Sequence, residues 1–153
     1  MRVCIGGTFD ILHKGHKKLI DKAFEFAGKN GFVFIGLTTN KITKEKKIVG
    51  SIKQRQKNLE EYLSEKSFIK NAVIKPINDK YGPSIEEDFD AIVVSPETFK
   101  TAEEINSIRV KKGKKPLKII KIPFVLADDD KPISSTRIFE GEIDKNGFVL
   151  KDD

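Results

Sequence analysis

Two histidines, His13 and His16, bracket Gly15 in the run GGTFDILHKGH that spans residues 6–16, and the chain has no others. Gly6 and Gly7 allow a backbone to bend sharply and to approach a ligand closely. A helix starting beside such a bend offers unpaired N–H groups and the positive end of its dipole, which together seat a phosphate. Residues three apart in a first helical turn face the same way. Both imidazoles would then point at that seat and donate to phosphate oxygens, with charge assistance if protonated. Capping or simple exposure is the plainer reading of any one histidine. Two of them at one Gly-rich turn favour the anion site, and no third soft ligand stands nearby to make a zinc centre.

A second chemical cluster lies toward the other end. Ser134, Ser135, Thr136 and Arg137 follow Ile133 in ISSTRI. Three hydroxyls at a helix start form an anion nest, and Arg137 adds a planar fork that matches phosphate oxygens. Between the clusters, the polar stretch 38–50 carries Lys41, Lys44, Lys46 and Lys47. One of these lysines can reach a phosphate while the others stay solvated.

These side chains need a frame, and the pattern supplies one. Short apolar runs at 3–5, 32–37, 72–77, 91–94 and 117–122 read as strands. The run FVFIGL is nearly continuous, as in a strand covered on both faces. Leu19, Ile20, Ala23, Phe24 and Ala27 recur at helical spacing. Ser51 with Gln54 is a capping box that opens a second helix running to about residue 65. A third helix spans 98–111, and Ser134 or Ser135 caps a short last one. Asn146-Gly147 marks a hairpin turn in the tail. Alternating strand and helix predicts an α/β fold: a single-domain, Rossmann-like, doubly wound parallel five-stranded sheet with helices on both faces. We read residues 1–153 as one domain, with a core at 1–140 and a tail at 141–153. Ligands of such sheets bind at the carboxyl ends of the strands.

Composition narrows the class. The chain has 153 residues, 38% hydrophobic and 34% charged, which suits one globular domain. No apolar run approaches the roughly 20 residues that span a bilayer, and no leader pattern precedes residue 5, so the expected location is the cytoplasm. Cys4 is the single cysteine and reads as a buried thiol. The net charge is +6, from 25 Lys and 4 Arg against 23 acids. That balance favours anionic partners. Few arginines and no interleaved aromatics argue against a nucleic-acid reader.

HKGH resembles the HxGH signature of the nucleotidyltransferase superfamily, which includes cytidylyltransferases, adenylyltransferases and class I aminoacyl-tRNA synthetases. ISSTRI resembles that superfamily's second signature. KIVGSIKQR at 47–55 and DAIVVSPET at 90–98, with Ala102, Asn106, Arg109 and Gly113, resemble the archaeal-type phosphopantetheine adenylyltransferases. The resemblance implies transfer of AMP from ATP to 4′-phosphopantetheine, giving dephospho-coenzyme A and pyrophosphate, with Mg2+ carried by ATP. It implies His16 and Lys44, with Lys41 as alternate, as the catalytic pair. It implies Gly7, Thr8, Phe9 and His13, then Ser134, Ser135, Thr136 and Arg137, at the ATP phosphates. Asp10 matches the motif and would hold the loop. Ser95, Glu97, Thr98 and Arg109 would line the adenine or acceptor pocket. The partners expected are the two small substrates, with no nucleic acid and no membrane; the sequence leaves the oligomeric state open. The shared signatures also admit a cytidylyltransferase, or an adenylyltransferase acting on flavin or nicotinamide mononucleotide. The charge alone would also admit a non-catalytic nucleic-acid-binding module.

Overall fold

A computed structural model describes residues 1–39 and 50–150. Strand β1 is Arg2–Gly7, followed by helix α1 at Lys14–Ala27 and strand β2 at Phe32–Thr38. Helix α2 (Ile52–Glu65) and strand β3 (Ala72–Ile77) come next. Strand β4 (Ala91–Val94), helix α3 (Phe99–Lys111), strand β5 (Lys118–Lys121) and helix α4 (Ser135–Phe139) complete the order. The five strands form one sheet in the order β3-β2-β1-β4-β5, and every pairing is parallel.

Side-chain alternation along the strands builds a core on each face. Val3 and Ile5 of β1, with Val33, Ile35 and Leu37 of β2, pack on one face under α1 and α2. Cys4, Ile92 and Val94 point to the other face, under Ala102 and Ile105 of α3. The sheet is therefore doubly wound with helices on both faces, as the pattern predicts. Helix α1 buries the five residues whose spacing announced it, at about 1.5–3 kcal/mol for each fully buried Leu, Ile or Phe. It stops at Gly28, whose φ of 78° suits glycine. Cys4 is buried, and burial raises its thiol pKa to about 12, so it stays an unreactive thiol.

Two features depart from the sequence reading. The boundary drawn at residue 140 does not end the packed chain: Ile143 is fully buried with Ala127 and Ile133. The Lys145 carbonyl also accepts from the backbone N–H of Lys14, at 3.0 Å, so the tail docks on the start of α1. The Asn146-Gly147 turn is formed, but the chain around it makes a lone Ile143–Val149 bridge rather than a strand pair. No helix among the described residues is long and apolar enough to cross a membrane.

Chain order moves outward from β1 to β2 and β3, then returns to β4 on β1's other side. That reversal opens a crevice at the carboxyl ends of β1 and β4, where α/β folds bind ligands.

Candidate active site

A cleft of about 1460 Å³ occupies this crevice. It exceeds the roughly 300–1,000 Å³ of an ordinary ligand pocket. Its lining includes Gly7, Thr8, Phe9, Asp10, His13 and His16 on one side. Ser134, Ser135 and Thr136 face them from α4, and Ser95, Glu97 and Thr98 form the rim after β4.

The turn after β1 is built around Phe9. Its φ is 44°, a left-handed value that a bulky residue adopts only under constraint. Its ring is 1% exposed and lies 5.2 Å from the His16 ring. Burial of the ring therefore holds the strained turn and sets the wall behind His16.

His13 is the N-cap of α1. Its Nδ1 accepts from the backbone N–H of Gly15 at 3.0 Å and of His16 at 3.3 Å. An accepting Nδ1 carries no proton, so the proton of neutral His13 sits on Nε2 as a donor. Gly15 is required by contact: a Cβ there would lie 2.8 Å from His13 Cε1. His13 thus caps α1 and also lines the cleft.

His16 has the opposite tautomer. Its Nδ1 is 2.8 Å from the Ile11 carbonyl oxygen, which can only accept. The same nitrogen also lies 3.4 Å from the His13 backbone N–H. It cannot donate and accept at once, and the shorter contact governs, leaving neutral His16 with an unprotonated Nε2. The two rings stack at 3.7 Å with 16° between planes. Burial pushes both below the ordinary value of 6.5, His13 to about 3 and His16 to about 4. For His13 the His16 ring adds to the lowering, and Asp10 opposes it. For His16 the Ile11 carbonyl and Asp10 oppose the effect of burial.

Asp10 joins the two clusters. Its Oδ1 accepts from Ser135 Oγ at 2.9 Å and from Thr8 Oγ1 at 3.3 Å. Burial alone would raise its pKa, but the Ser135 hydroxyl and the backbone N–H groups of Ile11 and Asp10 prevail and lower it. The Ser135 hydroxyl proton is spent on this link. The side chains of Ser134 and Thr136 remain as α4's hydroxyl donors, with Ser134 Oγ also accepting from the N–H of Arg137 at 3.2 Å.

Two arginines expected at the ligands stand elsewhere. Arg137 donates from Nε to Glu142 at 2.8 Å and from Nη1 to the Pro132 carbonyl at 2.9 Å, and pairs through Nη2 with Asp129. Its fork is consumed in bracing the loop before α4, so it does not line the cleft. Arg109 is 3% exposed. It donates to the carbonyls of Ser84, Ile85, Glu87 and Lys115 at 2.8–3.1 Å, stapling α3 to the segment after β3. Buried carbonyls demand donors, and a long side chain reaches them before it reaches a ligand. Lys44 and Lys41 lie outside the described residues.

Lys80 and Tyr81 also line the cleft and were not singled out from the sequence. Both bond Glu104 at 2.8 Å, so α3 holds them at the rim. Tyr81-Gly82-Pro83 has the residue types of a turn, but the partner on α3 has no local signature.

The paired-histidine turn and the hydroxyl-rich start of α4 meet across one crevice, an arrangement suited to phosphate groups. The chain belongs to the cytidylyltransferase-like family, whose model matches residues 4–141. Within that family it groups with archaeal phosphopantetheine adenylyltransferases. It is 49% identical to the Methanosarcina mazei enzyme of that name over 152 residues, covering 99% of this chain and 98% of the relative. It is 40% identical to the Archaeoglobus fulgidus enzyme over 98% of this chain and all of the relative. A crystal structure of an Archaeoglobus fulgidus protein of unknown function superposes with a TM-score of 0.73 at 37% identity, over 80% of this chain and 89% of that one.

Proposed function

We propose that this chain transfers AMP from ATP to 4′-phosphopantetheine in the cytoplasm, forming dephospho-coenzyme A and pyrophosphate. One observation carries the reading: Ser135 and Asp10, 125 residues apart, bond each other in the lining of the cleft, so both signature segments face one space that a phosphate chain would fill. The near full-length match to enzymes of that name supports the choice of acceptor.

The chemistry then follows from the groups present. A phosphate oxygen of the acceptor attacks the α-phosphorus, a new P–O bond forms, and the bond to pyrophosphate breaks. The nucleophile is already an anion, so positioning and charge stabilisation do the work of a base. His13 Nε2–H is a neutral donor to the phosphates. His16 donates from Nε2 once it has taken up a proton. Ser134 and Thr136 hold the departing pyrophosphate. Lys44, with Lys41 as alternate, reaches the α- or acceptor phosphate. Ser95, Glu97 and Thr98 shape the acceptor or adenine end. The turn offers hydroxyls and imidazoles, with the Asp10 carboxylate already engaged. That donor set suits phosphate oxygens better than a hard cation, so Mg2+ enters on ATP and neutralises its phosphate charge.

The test is a product assay of ATP and CTP against phosphopantetheine, pantetheine, nicotinamide mononucleotide, flavin mononucleotide and glycerol 3-phosphate. ATP with phosphopantetheine should give the highest kcat/KM, and pantetheine, which lacks the nucleophile, should give nothing. A better acceptor among the others would overturn the acceptor and leave the family standing.

A further inference from the structure

Two arginines are buried in the described part of the chain, and they are built differently. Arg109 spends its donors on carbonyls, and none of its nitrogens is both buried and unpaired. Arg55, on the first turn of α2, is 1% exposed. Its Nη1 donates to the Thr8 carbonyl at 2.9 Å and to the Thr38 carbonyl at 2.8 Å. Its Nε and Nη2 are buried with no partner, and so is Thr38 Oγ1. Burial disfavours its charge and Asp10 favours it. Yet the Asp10 carboxylate is committed to Thr8 and Ser135. A buried guanidinium with most of its N–H groups unpaired costs stability, and such groups call for an explanation in function.

The explanation lies in what Nη1 holds. Thr8 and Thr38 both line the cleft, at the carboxyl ends of β1 and β2. Thr8 is the residue before the strained Phe9, where the turn meets phosphate. We propose that Arg55 is a positioning residue for the transfer: acting through Thr8, it fixes the turn that meets the reacting phosphates, and its unpaired charge favours an anion there. It rests on the proposed reaction only for the choice of acceptor. A neutral side chain could fill the same space between α2 and the sheet, but it could neither hold both carbonyls nor supply charge.

Arg55→Met and Arg55→Lys separate this role from a structural one. Each is made in the full chain and measured for Tm, kcat and KM with ATP and phosphopantetheine. Arg55→Met should stay folded and lose kcat by about 100-fold, the scale of a small misplacement of reacting groups, with KM for ATP little changed. Arg55→Lys keeps the charge and three rotatable donors on a stem one atom shorter, so it should recover kcat to within about tenfold of wild type. Wild-type kcat in Arg55→Met would overturn the proposal. Equal loss in both variants, in step with a fall in Tm, would also overturn it and leave Arg55 a staple like Arg109. If Arg55→Met does not fold, Arg55→Gln, which keeps an amide donor, replaces it with the same outcomes. Failure of wild type to use phosphopantetheine would overturn the acceptor alone, and the variants are then compared on the acceptor that wild type does use.

Discussion

Triphosphate binding should take up a proton at His16. In the free protein Nδ1–H is held by the Ile11 carbonyl, so Nε2 is a lone pair that an anion repels. Burial holds the free pKa near 4. At pH 7.5 about one molecule in 3,000 then carries the imidazolium, and half-protonation needs a rise of about 3.5 units, or about 5 kcal/mol at 1.36 kcal/mol per unit. One unit charge at 4 Å supplies about 4 kcal/mol at an effective dielectric of 20, and a triphosphate brings several charges. The groups facing His16 from its surroundings are Asp10, which favours the cation, and neutral His13, which stacks on it. With magnesium saturating, kcat/KM for ATP reports the free enzyme and should fall about tenfold per pH unit between pH 6 and 9, while kcat stays flatter. Calorimetry in buffers of different ionisation enthalpy should show close to one proton taken up. His16→Ala should abolish the slope and the uptake and lower kcat by about two to three orders of magnitude, the scale for one lost transition-state donor. A flat kcat/KM with no uptake would refute this reasoning: Nδ1 would then accept from the His13 N–H and donate nothing to Ile11.

Acid should destabilise the fold through the same pair. Both folded pKa values are lowered from 6.5, so their contribution is fully present above about pH 6.5 and is lost as pH falls through about 4 and then 3; a Tm series from pH 8 to 3 checks this, and His13→Asn, which keeps a capping acceptor, should lose less. Gly15→Ala should displace the His13 ring, lowering stability by about 1–3 kcal/mol and turnover at least as much as His13→Asn does; urea unfolding and initial rates measure both. Arg137→Ala should lower Tm by removing the brace before α4 while leaving KM for pyrophosphate in the reverse reaction nearly unchanged; a large rise in that KM with Tm intact would return Arg137 to the phosphates.

Most of the frame was legible because its causes are local. Val3, Cys4 and Ile5 alternate between two cores, and Leu19, Ile20, Ala23, Phe24 and Ala27 lie on one stripe, so strand, helix and their order follow from periodicity. The turn after β1 was legible for the same reason: His13, Gly15 and His16 act on one another within a single helical turn. What could not be read depends on distant backbone. The fates of Arg109 and Arg137 were set by carbonyls that only the folded loops bring within reach. The Asp10–Ser135 bond, the Glu104 clasp on Lys80 and Tyr81, and the hold of Arg55 on Thr8 and Thr38 likewise join elements with no shared pattern. The packing of Ile143 under Ala127 made the tail part of the core, although its sequence carries little more than a turn signal.

In the proposed transfer the acceptor's own phosphate oxygen attacks the α-phosphorus of ATP. Phosphopantetheine carrying three ¹⁸O atoms on its phosphate, incubated with unlabelled ATP and magnesium, tests it by mass spectrometry of both products. Dephospho-coenzyme A should retain all three labels, one of them now bridging the two phosphorus atoms, and pyrophosphate should carry none. Label in pyrophosphate, or AMP released without dephospho-coenzyme A, would contradict the claim.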